Sequence, residues 1–305
     1  MTNPAFLALI PVFGLILLGA ALRPMGPLTD DGWRAVEQLT YWLLLPALLI
    51  LKLGGTDLST YAIGPMVAAM AGAVLLVTLG LVLLRRVTGI DAPAYTSVIQ
   101  GAIRQNTYIG IASVGALFGS DGTALAAVGI AAVIPLVNAL SVWFLTRLIG
   151  KTPASLIAVA RAMAANPIIL ACLIGIALNA SGIGLHPMIA SGLDLLASGA
   201  LALGLLAVGA GLRLKAVRRG WAPLLLSNGL KLAVMPGLTL VLAGPLGLSG
   251  VALQVAVLFN ALPSSASSYV FARQLGGDAE LMAAILTTQV AMAAITVPLF
   301  LSLIG

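Results

Sequence analysis

Runs of mostly apolar residues recur along the chain between short polar or charged breaks, and a helix that spans a bilayer needs about 20 such residues. Ten stretches stand out: Asn3 to Leu22, Trp33 to Leu53, Tyr61 to Leu84, Ala94 to Phe118, Gly122 to Ile149, Pro153 to Ala180, Pro187 to Leu212, Trp221 to Gly244, Gly250 to Leu275 and Ala279 to Ile304. They are continuous and do not alternate with period two, which disfavours an outer-membrane barrel. The pattern predicts an all-α polytopic membrane protein with ten transmembrane helices. Met1-Thr2-Asn3-Pro4 leads straight into the first stretch, with no basic region before it and no small-x-small cleavage site after it, so that stretch is expected to stay as a span.

Composition sharpens this. Of 305 residues, 61% are hydrophobic and 8% charged, against about 25% charged in a soluble domain. A soluble enzyme, a nucleic-acid module, a disordered chain and a disulfide scaffold are all excluded, and the single Cys172 lies in an apolar run. The net charge of +6 reports orientation. Twelve of the 15 basic residues fall in the odd-numbered loops (Arg23, Arg34, Arg85, Arg86, Arg147, Lys151, Arg161, Arg213, Lys215, Arg218, Arg219 and Arg273), and the even-numbered loops hold only Lys52. Because cytoplasmic loops retain Lys and Arg, this places a multi-pass protein in the cytoplasmic membrane with both termini outside the cytoplasm.

The halves repeat. "LFGSDGTALAA" from Leu117 and "QLGGDAELMAA" from Gln274 superpose at an offset of 157 residues, each a helix end, a glycine turn and an Asp (Asp121, Asp278) placed to cap the next helix. The offset equals five spans, an odd number, so residues 1–150 and 151–305 read as two five-helix repeats inverted in the bilayer.

Upstream of each copy the middle of a span is unusually polar: "GAIRQNTYIG" (Gly101 to Gly110) in the fourth and "FNALPSSASSY" (Phe259 to Tyr269) in the ninth. Pro263 removes a backbone donor, while Asn106, Asn260 and the serines can satisfy groups that a break exposes. Both segments read as broken helices meeting near the midplane, with second halves starting at about Thr107 and Ser264; the plainer alternative is two kinks with Ser and Asn as interhelical contacts. Free N–H groups at such half-helix starts attract anions.

Two ionisable residues lie deep within spans, Arg104 and Lys231, and both are cationic; the nine acids map to loops or span ends, Glu37 and Asp194 being the deepest. This charge pattern points to an anionic ligand and away from a carboxylate proton relay. Candidate binding residues are Asn106, Arg104, Thr107, Asn260, Pro263, Ser264 and Ser265, with Lys231, Asn138 and Gln289 in supporting or coupling roles. For Arg104 the alternative is a structural cation on the carbonyl end of the first half-helix, and for Lys231 a helix pin. Most polar residues at such depth serve as interhelical glue. No cofactor or metal site is expected, although a sodium site of carbonyls, Asn and hydroxyls is compatible with these residues. Paired carboxylates, a His cluster and an activated nucleophile are all missing, so catalysis is not expected.

The stretches "RQNTYIGIASVGALFG" from Arg104, "NPIILACLIGIAL" from Asn166, "GALALGLLAVGAGL" from Gly199, "KLAVMPGL" from Lys231 and "NALPSSASSYVFARQLGGD" from Asn260 resemble, in order and over nearly the whole chain, the auxin efflux carrier family. The chain is similar to its short microbial members, some of which are described as malonate or malate transporters. The resemblance implies the fold of the bile acid sodium symporters, with helices 4 and 9 broken and crossed. It also implies a scaffold (residues 1–55 and 153–215, often dimeric) and a moving transport part (residues 60–150 and 220–305). Asn106 matches the crossover asparagine near which the family holds substrate carboxylate. Plant members have proline at both crossovers and charged residues in helix three; here the first crossover reads Asn106-Thr107 and Tyr61 to Leu84 is uncharged.

Together these readings lead to an expected secondary carrier for a small organic carboxylate, working by an elevator-like alternating access, with lipid and a second copy as partners and no nucleic acid. Alternatives are a sodium-coupled organic anion symporter and a transport-inactive membrane sensor or partner subunit.

Overall fold

A computed structural model describes residues 4–26, 28–149, 164–213, 216 and 221–304. Lys151, Arg161, Lys215, Arg218 and Arg219, and the expected span starts at Asn3 and Pro153, lie outside the described residues. Within them the chain is all helical, with no strand. In order come α1 (Pro4–Met25), α2 (Asp30–Leu39), a π turn (Thr40–Leu44), α3 (Leu45–Gly55), α4 (Ile63–Leu84), α5 (Ala92–Ile103), α6 (Thr107–Ile149), α7 (Pro167–Ser181), α8 (Pro187–Ala210), α9 (Trp221–Gly229), a second π turn (Leu230–Val234), α10 (Met235–Ala243), α11 (Gly250–Ala261), α12 (Ser267–Leu275) and α13 (Ala279–Ser302).

Among the described residues seven helical stretches are long and apolar enough to cross a membrane, fewer than the ten expected from the sequence. The difference has physical causes. The fourth, Ala92–Ile149, holds 58 residues, about 87 Å of helix at 1.5 Å per residue and far more than one crossing of a core about 30 Å thick. It is divided by the non-helical residues 104–106 and again at Gly119, whose φ of 63° and ψ of −145° turn the chain. Residues 250–275 are divided as well, into α11 and α12, each too short to span alone. Of the expected sixth span, only α7 is described.

Prolines explain both π turns. Pro46 and Pro236 each follow one closely, and widening the preceding turn relieves the clash between the ring and the carbonyl four residues back. Caps mark other starts. Asp91 Oδ1 accepts from Ala94 N at 2.8 Å, Asn166 Oδ1 from Ile168 N at 2.9 Å and Asp278 Oδ1 from Leu281 N at 2.9 Å. Asp121, expected as the matching cap, instead accepts a 2.9 Å hydrogen bond from the Tyr61 hydroxyl, which ties the start of α4 to the Gly119 turn. That bond, with the carboxylate charge beside it, raises the Tyr61 phenol above the usual range.

The helices sort into two packing groups. α3 packs on α7 and α8, and α1 on α8; elsewhere α4 packs on α10, α11 on α10 and α13, and α5 on α9 and α13, while α6 touches both groups. The α1–α8 contact is made by backbone. A Cβ added to Gly19 would lie 2.1 Å from Leu206 O, and one added to Gly209 would lie 1.9 Å from Ile16 O. In hydrocarbon, where apolar burial gives no drive for association, such small-residue contacts hold helices together. Gly209→Val should therefore lower stability by about 1–3 kcal/mol or more. Gly14→Val, with nothing within 4 Å of its Cβ, should change it by less than about 0.5 kcal/mol; thermal unfolding in detergent compares the two.

Candidate functional site

The two interrupted segments meet. α5 ends at Ile103, and Arg104, Gln105 and Asn106 run non-helical before α6 starts at Thr107; α11 ends at Ala261, and Leu262 to Ala266 precede α12. Asn106 N donates to Pro263 O at 2.8 Å, joining the breaks backbone to backbone, while Asn106 Oδ1 accepts from Ile109 N at 3.1 Å and caps α6. Gln289 on α13 bridges the same junction, its Oε1 accepting from Ser264 N at 2.8 Å and its Nε2 donating to Gly101 O at 3.0 Å. One side chain thus satisfies an orphan carbonyl of one half-helix and an orphan N–H of the other break.

Beside this junction lies a cavity of about 150 Å³. Arg104, Gln105, Asn106, Thr107 and Tyr108 line it from the first break, and Ser265, Ala266, Ser267 and Phe271 from the second. Ile134, Val137 and Asn138 of α6, Asn166 and Ile168 at the start of α7, and Glu37 and Tyr41 complete it. Arg104 is 6% exposed. Its Nη2 donates to Ser267 Oγ at 2.8 Å, its Nη1 to Ser141 Oγ at 3.4 Å, and its Cζ stands 4.5 Å over the Phe271 ring. The serine hydroxyls and the ring hold the guanidinium in place without neutralising it. The ion pairs among the described residues are Arg23–Asp30 and Arg34–Asp31, so Arg104 has no acidic partner there. Nor does its guanidinium cap the carbonyl end of α5, the structural role considered from the sequence.

Of the sequence candidates, Arg104, Asn106, Thr107, Asn138 and Ser265 line the cavity. The others stand behind it. Asn260 accepts from Gln105 Nε2 at 3.2 Å and donates to Thr239 Oγ1 at 2.8 Å and to Met70 O at 3.3 Å, knitting the first break to α4 and α10. Pro263 contributes its carbonyl to Asn106, and Ser264 Oγ donates to Gln100 O at 3.2 Å. Gln289 serves the junction just described. Lys231, in the second π turn, is fully buried, and its Nζ has no hydrogen-bond partner among the described residues.

Sequence reasoning missed Glu37, Tyr41, Asn166 and Phe271. The expected centre of two cations without a carboxylate is corrected: among the described residues the cavity is lined by one cation, Arg104, and one carboxylate, Glu37, with Lys231 outside its lining. The signals were present but faint. Glu37 is among the deepest acids, and Asn166 before Pro167 is a helix-start signature.

An unpaired ammonium buried in apolar surroundings costs several kcal/mol. Lys231→Met keeps the length of the stem and removes that cost, so its thermal midpoint in detergent should rise by several degrees; a lower midpoint would show that Lys231 holds the helices together.

No curated protein matches the chain. A family model described as membrane transport protein matches residues 4–301, nearly the whole length and across both breaks. The expectation drawn from Arg104, Asn106 and the Pro263–Ser265 segment is thereby met: the chain belongs to the membrane transport protein family, that of the auxin efflux carriers.

Proposed function

We propose that this multi-pass membrane transporter carries a small organic carboxylate by alternating access. The observation behind this reading is Arg104, a guanidinium without an acidic partner among the described residues, facing a small cavity where the α6 and α12 starts also arrive. The cavity is smaller than the roughly 300–1,000 Å³ of drug-sized sites, which favours a solute of a few carbons over an indole-bearing acid. In this reading Arg104 binds the carboxylate, Asn106, Thr107 and Ser265 add hydrogen bonds at the half-helix starts, and Asn138 lines the path. Asn260, Pro263, Ser264 and Gln289 keep the junction rigid.

The same reading takes the chain as ten crossings in two inverted five-helix halves, residues 1–150 and 151–305. It is supported by Gly119 turning within residues 92–149 and by the matching interruption of residues 250–275. The two packing groups support a scaffold of α1, α2, α3, α7 and α8 against which the rest shifts as an elevator. Exposed apolar residues on α7 and α8, such as Leu173, Ile174 and Leu195, offer a face to lipid or to a second copy. With the Arg-rich face in the cytoplasm, both termini are outside and the cavity, reaching from the breaks toward Glu37 and Asn166, opens inward.

Isotope counterflow in proteoliposomes, screening short carboxylates with and without sodium, tests this. One or more should exchange saturably. Arg104→Gln should weaken apparent affinity by about 2 kcal/mol or more, roughly thirtyfold, and unchanged affinity in a folded variant would remove Arg104 from the site. Sodium dependence would favour the symporter alternative; no carboxylate flux through folded wild type would end the carboxylate reading.

A further inference from the structure

Glu37 is the one carboxylate that lines the Arg104 cavity among the described residues. It lies on α2, seven residues beyond Asp30. Two other acids of α2 are already matched. Asp30 pairs with Arg23 at 2.8 Å and Asp31 with Arg34 at 2.6 Å, while Glu37 and Arg104 stand beyond ion-pair distance of each other. Among the described residues, the cavity around Glu37 presents Arg104 and the phenols of Tyr41 and Tyr108 as its other titratable groups. On α8, packed against α2, the acid Asp194 lines a different hollow with Lys52.

Arg104 and Glu37 thus line the same 150 Å³ from different elements. A carboxylate bound to Arg104 leaves its far end in the cavity that Glu37 also lines, where none of the described residues donates a hydrogen bond to the Glu37 carboxyl group. A second carboxylate placed there sets acceptor against acceptor, whereas a hydroxyl or ammonium supplies a donor. A site built to hydrogen-bond a donor discriminates strongly against analogues without it, because its own polar group is then left unpaired.

Resting on the carboxylate reading above, we infer that Glu37 is a specificity-determining residue that makes this cavity prefer monocarboxylates bearing a hydroxyl or ammonium at the far end over dicarboxylates. Arg104 anchors the shared carboxylate, and Glu37 reads the other end.

Three-carbon acids differing only at that end give the test: 3-hydroxypropanoate, 3-aminopropanoate and malonate, compared as inhibitors of labelled 3-hydroxypropanoate counterflow in proteoliposomes at neutral pH. In the wild type, 3-hydroxypropanoate and 3-aminopropanoate should each inhibit at least about tenfold better than malonate. Glu37→Gln should shift the ratio toward malonate by about tenfold or more, with 3-aminopropanoate losing most, and Glu37→Asp should keep the wild-type order. A wild type that prefers malonate, or a ratio unmoved in folded Glu37→Gln protein, would overturn the role of Glu37 while leaving the carboxylate reading intact. If the wild type exchanges none of these acids nor any other short carboxylate, the carboxylate reading falls, and this inference with it.

Discussion

Breaking two helices inside hydrocarbon leaves carbonyls and N–H groups that water cannot reach, and each unsatisfied group costs several kcal/mol. Everything at the centre of this protein answers that constraint. The breaks are set against each other so that Asn106 N meets Pro263 O, while Ser264 N and Gly101 O find Gln289, Ile109 N finds Asn106 Oδ1 and Gln100 O finds Ser264 Oγ. Pro263 has no N–H to leave unpaired, which makes it suited to that position. The polar residues that looked from the sequence like a ligand shell are therefore spent largely on the backbone, and the ligand-facing part is narrower: Arg104 and the residues that open onto the cavity with it.

Arg104 and Lys231 show how differently two buried cations can be held. Around the guanidinium stand two serine hydroxyls and the Phe271 ring, partners that fix its position and leave its charge available. The ammonium of Lys231 has no such partners among the described residues, although it is the more deeply buried. A planar fork of five donors can be oriented by neutral acceptors, whereas an ammonium depends on close oxygen neighbours on several sides. Depth alone therefore does not identify a binding cation; orientation toward open space does.

How much was legible in the sequence follows from the range of the forces involved. Hydropathy is local, so the helix positions, the Gly119 turn and both breaks could be read from runs of residues. The interruptions at Arg104–Asn106 and Leu262–Ala266 fall within the segments singled out for their polarity. What was not legible depended on pairs far apart in the chain. Asn260 looked like Asn106, yet it faces Thr239 and Met70 rather than the cavity. Glu37 looked like a residue near a span end, yet the packing of α2 brings it to Arg104, 67 positions later. Asp121 and Asp278 share a local motif, but only one caps, because Tyr61 reaches the other from across the Gly119 turn.

The cavity's position carries the final step. Glu37, Tyr41, Asn166 and Ile168 belong to the group of helices built on α1, α3, α7 and α8, whereas Arg104 and the Ser265–Phe271 segment come with the two breaks. A ligand that touches both ends of the cavity therefore bridges two bodies that otherwise meet through α6 and few other contacts. Binding energy gained at one end alone would leave their relative position unchanged, since a ligand shifts a conformational equilibrium only by its differential affinity for the two states. In a carrier, a ligand held at both ends would tie the crossed helices to the other group, so that recognition would bear on any movement between them.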